Sequence, residues 1–592
     1  MLFVSGINVF GQQQDSLSSS KSPNILLIIA DDLGYTDIGA FGGEIATPIL
    51  DRLATQGIKF SNFHTLPTCS PTRSVLLTGT DNHIAGIGGQ PRVGITDYQQ
   101  QFPGYEGYLN HRVAVLPEVL GQANYRTYHV GKWHLGVEEG QRPFDRGFQE
   151  SFTLLAGGAS HYADQTPITP VEPVSYSRNG KILEKLPADF YSTKNATDSV
   201  LTWMERDKES GQPFFAHLAY TAPHDPLQAP RSYIEKYKGK YDEGFEVLRN
   251  KRFQQLKALG LIPENHQLPP FPKSMKSWSD LSPTEQKNTI RDMETYSAMI
   301  DYLDEQIGRI IKWLETNGEL DNTFIVFISD NGANGFGSHV YPGFTEEWAA
   351  QFDNSFDNRG MPNSYTNQGG GWASASTAAF RLMKGFSTEG GIRTPMIIKP
   401  NKNLRNTKSA WINKSFIHVK DLMPTFLDLA NATHPSTTNS ALAKMSGQSL
   451  LPILDKERAD LHLKEGIGYE LHGTRAYFKD NWKLLQMPLP MGSSDWQLYN
   501  LEEDLAETNN LALTHGEKVA ELEADYLDYE RNNGVVYDLV GVVTGVGLAA
   551  NELFPFVGNT FPTAFLQTVR ACLQAHGFPV ILYSTFCLSY LP

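Results

Sequence analysis

Short runs that are apolar at every position alternate along this chain with longer stretches of helix-like periodicity. Asn24 to Ile29 is such a run, entered through Pro23 and left through Ala30-Asp31-Asp32-Leu33-Gly34. Continuous apolarity over that length predicts a strand buried on both faces that ends in a polar loop. The same logic recurs far downstream, where Phe324 to Ile328 runs into Ser329-Asp330-Asn331-Gly332. Between the two, Pro48 to Gln56 reads as a helix, Tyr125 to Val130 and Pro213 to Tyr220 as strands, and Thr289 to Glu315 as a long helix. Strands alternating with helices predict an α/β fold: a large mixed, mostly parallel sheet sandwiched by helices, with ligands gathered at the carboxyl ends of its strands.

The texture changes after about residue 400. A helix-like His418 to Leu429 is followed by a Thr/Ser/Asn-rich stretch, then by short segments, Ala476 to Leu485 and Trp496 to Leu501, that suit a small antiparallel sheet. A smaller C-terminal α+β domain is therefore expected over 401–535, after a catalytic domain over 22–400 and before a tail, 536–592, to which the pattern assigns no role. Tyr341 to Trp372, rich in Gly, Asn and aromatics and without period, reads as one long loop that lines an entrance or packs down on the domain. Residues 1–21 carry a short apolar stretch, Leu2 to Phe10, then a Gln/Ser-rich stretch without a basic start. That fits an atypical signal peptide, which favours a periplasmic or secreted protein, and equally a leader with no targeting role in a cytoplasmic one. No apolar run reaches the roughly 18 residues of a membrane span.

Composition narrows the function. With 592 residues, 40% hydrophobic and 19% charged, the chain has ample core material. A formal charge of -15 argues against a nucleic-acid partner, which needs a basic footprint, so any anion must be held locally. Only Cys69, Cys572 and Cys587 occur, too few for a disulfide framework and wrongly spaced for zinc. Taken alone, Cys69 is a small buried hydrophobe.

Asp31, Asp32, Asp330 and Asn331 place three carboxylates and an amide at the ends of two strands that could lie side by side. Each acid alone reads as a helix cap. Two matching sets after two strands instead suit a hard cation, Ca²⁺ or, as second choice, Mg²⁺. Lys132 and His134 stand two apart after a strand, so an extended backbone points both to one side. His224 follows the Pro213 to Tyr220 strand, whereas His217 lies inside it and reads as a core residue.

Cys69-Ser70-Pro71-Thr72-Arg73, followed by Leu77-Thr78-Gly79, resembles the sulfatase signature C-x-P-x-R-x-x-x-x-T-G, whose cysteine a maturation enzyme oxidises to formylglycine. The resemblance extends to Gly131-Lys132-Trp133-His134-Leu135-Gly136, to Ala222-Pro223-His224, to Lys384 ahead of Glu389-Gly390-Gly391-Ile392-Arg393, and to Asp480-Asn481-Trp482-Lys483, covering about 22–535. Through Asp37 to Pro48 the chain is most similar to the bacterial arylsulfatases. The likeness implies an alkaline phosphatase-like fold and hydrolysis of a small-molecule sulfate ester; a monomer is the default expectation. It implies Asp31, Asp32, Asp330 and Asn331 as cation ligands that share the ion with residue 69. Arg73 would hold the formylglycine, and Lys132 would bind it and the sulfate. His134 would take a proton from its second hydroxyl, and His224 and Lys384 would serve the leaving oxygen, His224 as general acid. A hydrated aldehyde suits this role because one hydroxyl attacks sulfur and ionisation of the other expels sulfate, which serine cannot do.

Two rivals share the pattern: a phosphonate monoesterase or phosphodiesterase of the same superfamily, and a silent sulfate-ester binding protein in which Cys69 stays unmodified. An alkaline phosphatase proper is disfavoured, since its zinc sites need nitrogen ligands that the acid set lacks.

Overall fold

The computed structural model describes residues 22–537 apart from 273–274, 405–409, 460, 463 and 489–491. The leader, Cys572, Cys587 and all but the first two residues of the 536–592 tail lie outside the described residues. Ten strands form the main sheet: β1 (Asn24–Ala30), β2 (Ile58–Phe60), β3 (Arg126–Lys132), β4 (Glu150–Leu154), β5 (Tyr176–Arg178), β6 (Lys181–Ile182), β7 (Phe214–Ala219), β8 (Thr323–Ser329), β9 (Met396–Lys399) and β10 (Trp411–Asn413). Their spatial order is β10-β2-β9-β8-β1-β7-β3-β4-β5-β6. The core from β8 to β4 is parallel. The β9, β5 and β6 strands run antiparallel to their neighbours, so the sheet is mixed and mostly parallel as the pattern predicts.

All seven residues of β1 are buried because helices cover both faces. Leu26, Ile28 and Ala30 join one core with α1 (Pro48–Gln56), α3 (Ser192–Asp207), α4 (Phe245–Ala258) and α5 (Pro283–Thr316). Ile25, Leu27 and Ile29 join the other, against α2 (Cys69–Thr78) and α7 (Leu422–Ala430). Alternating side chains thus feed two cores from one strand, which is why the run is apolar without a gap.

Three expectations need correction. The α5 helix starts at Pro283, six residues before Thr289, because Ser282 caps it, its side chain accepting from the Glu285 backbone N–H. The end of the Tyr341 to Trp372 segment is not loop: α6 (Gly369–Ser376) runs through Trp372, and the short helix Glu346–Ala349 interrupts the rest. Finally, the helix expected from His418 begins only at Leu422, since Ile417–His418 pairs as a strand with Phe63–His64 and Val419–Asp421 is a 3₁₀ turn.

Beyond the main sheet, β11 (Ile467–Leu471), β12 (Thr474–Lys479), β13 (Trp482–Gln486) and β14 (Gln497–Asn500) form an antiparallel sheet. Asp480 and Asn481, at φ 51 and 64, make the two-residue turn between β12 and β13, a left-handed geometry that Asp and Asn tolerate. The α8 helix (Gly516–Asn533) packs on this sheet through Leu522 and Tyr526. Among the described residues no helix is long and apolar enough to cross a membrane.

Candidate active site

The carboxyl ends of β1 and β8 lie side by side, since Ala30 pairs with Ser329. The residues that follow them therefore meet: the Asp32 N–H donates to Asp330 Oδ1 at 3.2 Å and Asn331 Nδ2 lies 2.6 Å from Asp32 Oδ1. The loop after β1 is braced from beneath. Asp37 accepts from the Gly34 N–H (2.8 Å), the Tyr296 hydroxyl (2.7 Å), the Ser376 hydroxyl (2.7 Å) and Arg252 (2.6 Å). Asp32 adopts φ 65 and His134 φ 58. Non-glycine residues held in that region mark places where tertiary contacts override local preference.

Cys69 opens α2, so it sits where unsatisfied helix N–H groups favour negative charge. All ten residues of α2 are buried. The Cys69 Sγ lies 3.4 Å from Asp31 Oδ1 and 3.9 Å from Asp32 Oδ1. One turn on, Arg73 donates to Asp330 Oδ2 through Nε (3.0 Å) and Nη2 (2.7 Å), and through Nη1 to the Lys132 carbonyl (3.0 Å). It thereby ties the helix to both the acid loop and the end of β3. Lys132 Nζ reaches Asp31 Oδ2 at 2.7 Å, and Lys384 Nζ reaches Asp32 at 2.8 Å and His224 Nε2 at 3.4 Å.

His134 reaches this cluster by a different route from the one its spacing predicts. Its positive φ breaks the extended geometry, and the segment is held because Trp133 and His134 donate their N–H groups to the Leu154 and Leu155 carbonyls. Two glycines after β4 then make room for the histidines. A Cβ on Gly157 would stand 2.8 Å from Cε1 and 2.9 Å from Nε2 of His134, and one on Gly158 would stand 3.2 Å from Cε1 of His224. His217, by contrast, is a core residue, its Nδ1 2.8 Å from that of His129.

Every predicted site residue is buried. Burial pushes the Cys69 thiol up, against the pull of Lys132 and Lys384. Burial and the charge of Asp31 push Asp330 up to about 6. Asp32 goes the other way: burial raises it, but Lys384, His224 and Lys132 outweigh that and hold it well below the carboxylate range. Burial, with the charges of Lys384 and Lys132, takes His224 down to about 4, and burial with the charges of Lys132 and Arg73 takes His134 well below its ordinary value. Ligand atoms of Asp31, Asp32, Cys69 and His224 lie within 4.8 Å of one another; beside them stand the buried Asp330 and Asn331, whose Oδ1 is without a partner among the described residues. The carboxylates and the amide of that group fit a hard dication, which would satisfy the orphaned oxygen and offset the carboxylate repulsion.

Residues that sequence reasoning did not single out complete the surroundings. Asp225 takes His224 Nδ1 with its carbonyl (2.6 Å) and lies 3.1 Å from it with its carboxylate. The adjacent His-Asp pair was a visible signal. Tyr341 belongs to the long segment, but its phenol lies near enough to Asp225 and Lys384 for their charges to act on it, while burial pushes it up. Phe344, Trp348, Phe352 and Tyr365 of the same segment pack edge-on or tilted against one another. Behind the site, Glu389 is held at 2.8 Å by Lys483 from β13 and at 2.9 Å by His64.

The sequence matches the family described as Sulfatase over residues 23–432 and, over 381–528, that described as N-sulphoglucosamine sulphohydrolase, C-terminal. It is 44% identical over 541 residues to an uncharacterised sulfatase of Schizosaccharomyces pombe, covering 88% of this chain and 95% of that one. It is 40% identical over 440 residues to the arylsulfatase of Klebsiella aerogenes, covering 74% and 91%. Solved structures with this fold include the phosphonate monoester hydrolase of Agrobacterium radiobacter, at TM-score 0.51 and 18% identity over 85% of this chain and 96% of that one. At that identity the likeness speaks for the alkaline phosphatase-like fold alone. Taken with the family match across more than two thirds of its length, the chain belongs to the sulfatase family and is a sulfuric ester hydrolase.

Proposed function

We propose that this enzyme hydrolyses aryl sulfate monoesters, with a formylglycine made from Cys69 as nucleophile. The observation that carries the reading is the position of Cys69. It stands at the start of a buried helix, 3.4 Å from Asp31, with His224 beside it and Arg73, Lys132 and Lys384 near enough to interact with its charge. As a thiol in that setting, pushed up by burial, it is a poor nucleophile. An aryl ester is favoured because the 40% identical relative is named arylsulfatase.

In this reading Asp31, Asp32, Asp330 and Asn331 would hold Ca²⁺ beside residue 69. The ion supplies Lewis acidity that favours ionised oxygen near the nucleophile. Arg73 and Lys132 fix the hydrated formyl group, whose first hydroxyl gives its proton to the Asp31 carboxylate beside it and attacks sulfur. The S–O bond to the phenol breaks, and the phenol oxygen takes a proton from the His224 and Lys384 side, with His224 as the general acid. His134 then accepts the proton of the second hydroxyl, a C=O bond forms, and sulfate leaves by C–O cleavage. Water rehydrates the aldehyde. Buried cations aimed at the transferring group supply electrostatic stabilisation in a site with little water. The enzyme acts as a monomer and depends on a maturation enzyme that reads Cys69 to Arg73.

Two measurements test this together: the intact mass of the Cys69 peptide from the native host, and turnover of an aryl sulfate against an aryl phosphonate. A formyl mass with preference for sulfate supports the reading. An unmodified thiol in active protein, or a large preference for phosphonate, rejects it.

A further inference from the structure

Most of the charged groups in the site face inward and engage one another, but one carboxylate nearby does not. Glu172 is only 5% exposed, and among the described residues it has no ion-pair partner. Among the described residues its carboxylate accepts one hydrogen bond, a long one, from the Gly157 N–H to Oε2 at 3.4 Å. A buried carboxylate is costly unless something compensates it, so one left this bare requires a reason.

Its location supplies one. The point where a Cβ on Gly157 would stand lies 2.9 Å from His134 Nε2 and 3.4 Å from Glu172 Oε2. Residue 157 has no side chain there, so Glu172 and His134 flank the same opening. The loop that carries Glu172 is also fixed. The Thr169 hydroxyl donates to the Pro342 carbonyl, and the Tyr365 hydroxyl donates to the Ile168 carbonyl at 2.8 Å. Ile168 in turn packs at the Gly158 position that abuts His224. Glu172 and Tyr341 therefore stand on two segments, 166–172 and 338–345, that are joined above the two histidines. Lys132 and Arg92 are near enough for their charges to act on Glu172, yet burial dominates and raises it.

We propose that Glu172 is a specificity-determining residue of the ester site. It accepts substrates whose alcohol portion carries a hydrogen-bond donor or a positive charge, and turns away those with a second anion close to the scissile sulfate. The cations bind the sulfate end, where Lys132, Arg73 and Lys384 converge. Beyond that end the wall presents a phenol, an isoleucine and a carboxylate, so a second anion there meets a like charge that Arg92, near enough to act on Glu172, offsets in part. This inference rests on the sulfate-ester reading above and adds the class of leaving group.

The test compares kcat/KM for three esters, 4-nitrophenyl sulfate and analogues bearing a ring carboxylate or a ring aminomethyl group, in wild type and in Glu172→Gln. Wild type is expected to discriminate against the carboxylate, and the variant to raise the carboxylate-to-neutral ratio about tenfold, the effect of one charge at several ångströms in a partly dry site. Because the ratio is internal, partial misfolding of the variant does not move it. A ratio unchanged within twofold overturns the proposal. Should Glu172→Gln not yield soluble protein, wild-type inhibition constants for carboxylated and aminomethylated phenyl sulfamates take its place: at least a fivefold preference for the cation supports the proposal, and equal constants overturn it. Wild type that turns over the neutral ester with no discrimination refutes only the role of Glu172, whereas wild type inert to all three esters refutes the ester reading as well.

Discussion

Cys69 and Arg73 belong to one helical turn, and each is expected to fail differently when replaced. Serine at position 69 keeps a hydroxyl of similar size but cannot form an aldehyde hydrate, so Cys69→Ser should fold normally, keep its cation affinity and lose at least about 1,000-fold in kcat/KM, the scale seen when a covalent nucleophile is removed. Steady-state kinetics with a melting curve checks this, and near-normal turnover would refute the nucleophile assignment. Arg73→Lys tests geometry instead of chemistry. The guanidinium spans Asp330 and the Lys132 carbonyl with three N–H donors, and an ammonium is a point charge that reaches one of them at a time. We expect about a 100-fold fall in kcat/KM together with lower stability, because Asp330 then loses its paired donors. A turnover within threefold of wild type would mean that charge alone suffices at this position.

At the scale of elements, the site depends on how firmly the loop after β1 is held, and Asp37 is the residue that holds it. Asp37→Ala leaves Arg252 with Glu44 as its carboxylate partner and takes one acceptor each from the hydroxyls of Tyr296 and Ser376. Removing one partner of a buried pair costs about 3–5 kcal/mol. Chemical denaturation should show a loss of that order, and calcium titration a weaker affinity, since Asp31 and Asp32 ride on the same loop. Unchanged calcium affinity in a destabilised variant would separate the brace from the site. Elements also show what the sequence could disclose. The central strands β1 and β8 were readable because burial on both faces leaves no polar position to break the run, and the acids that follow them were readable for the same reason. The α6 helix was not, because Gly369, Gly370 and Gly371 are poor helix formers. Tertiary packing overrides them: side chains at 370 and 371 would meet Met275 and Phe245. Glu172 was not singled out, and Asp37 and Glu389 entered as parts of matching stretches without a role, for a different reason. What defines each is a partner, or the lack of one, more than ten residues away, and no local pattern records that.

Across the whole molecule, the C-terminal sheet is stitched by buried charge to segments of the main part of the fold that lie outside the nucleophile helix. Lys483 on β13 pairs with Glu389 and Glu507, and on the other side His83, just beyond the end of α2, lies 2.9 Å from Asp81 and 3.1 Å from Glu470 of β11. The Tyr529 hydroxyl of α8 donates to the same Asp81 at 2.9 Å. For His83, burial acts to lower the pKa, but the hydrogen bonds to Asp81 and Glu470 outweigh it and push it up to about 9. Its folded value is thus raised above the roughly 6.5 of an unfolded histidine. A group raised in the folded state contributes stability that is fully present below the unfolded value and is lost as pH climbs through the folded one. The loss therefore falls between about pH 6.5 and 9, and at 1.36 kcal/mol per pH unit it amounts to about 3 kcal/mol. Denaturation at pH 6, 7.5 and 9 should show wild type losing that much relative to Gln in place of His83, a variant with no titration in the window. Parallel curves for the two proteins would mean that the imidazole is neutral in the fold, and that the two parts of the molecule are held by packing and by Lys483 without it.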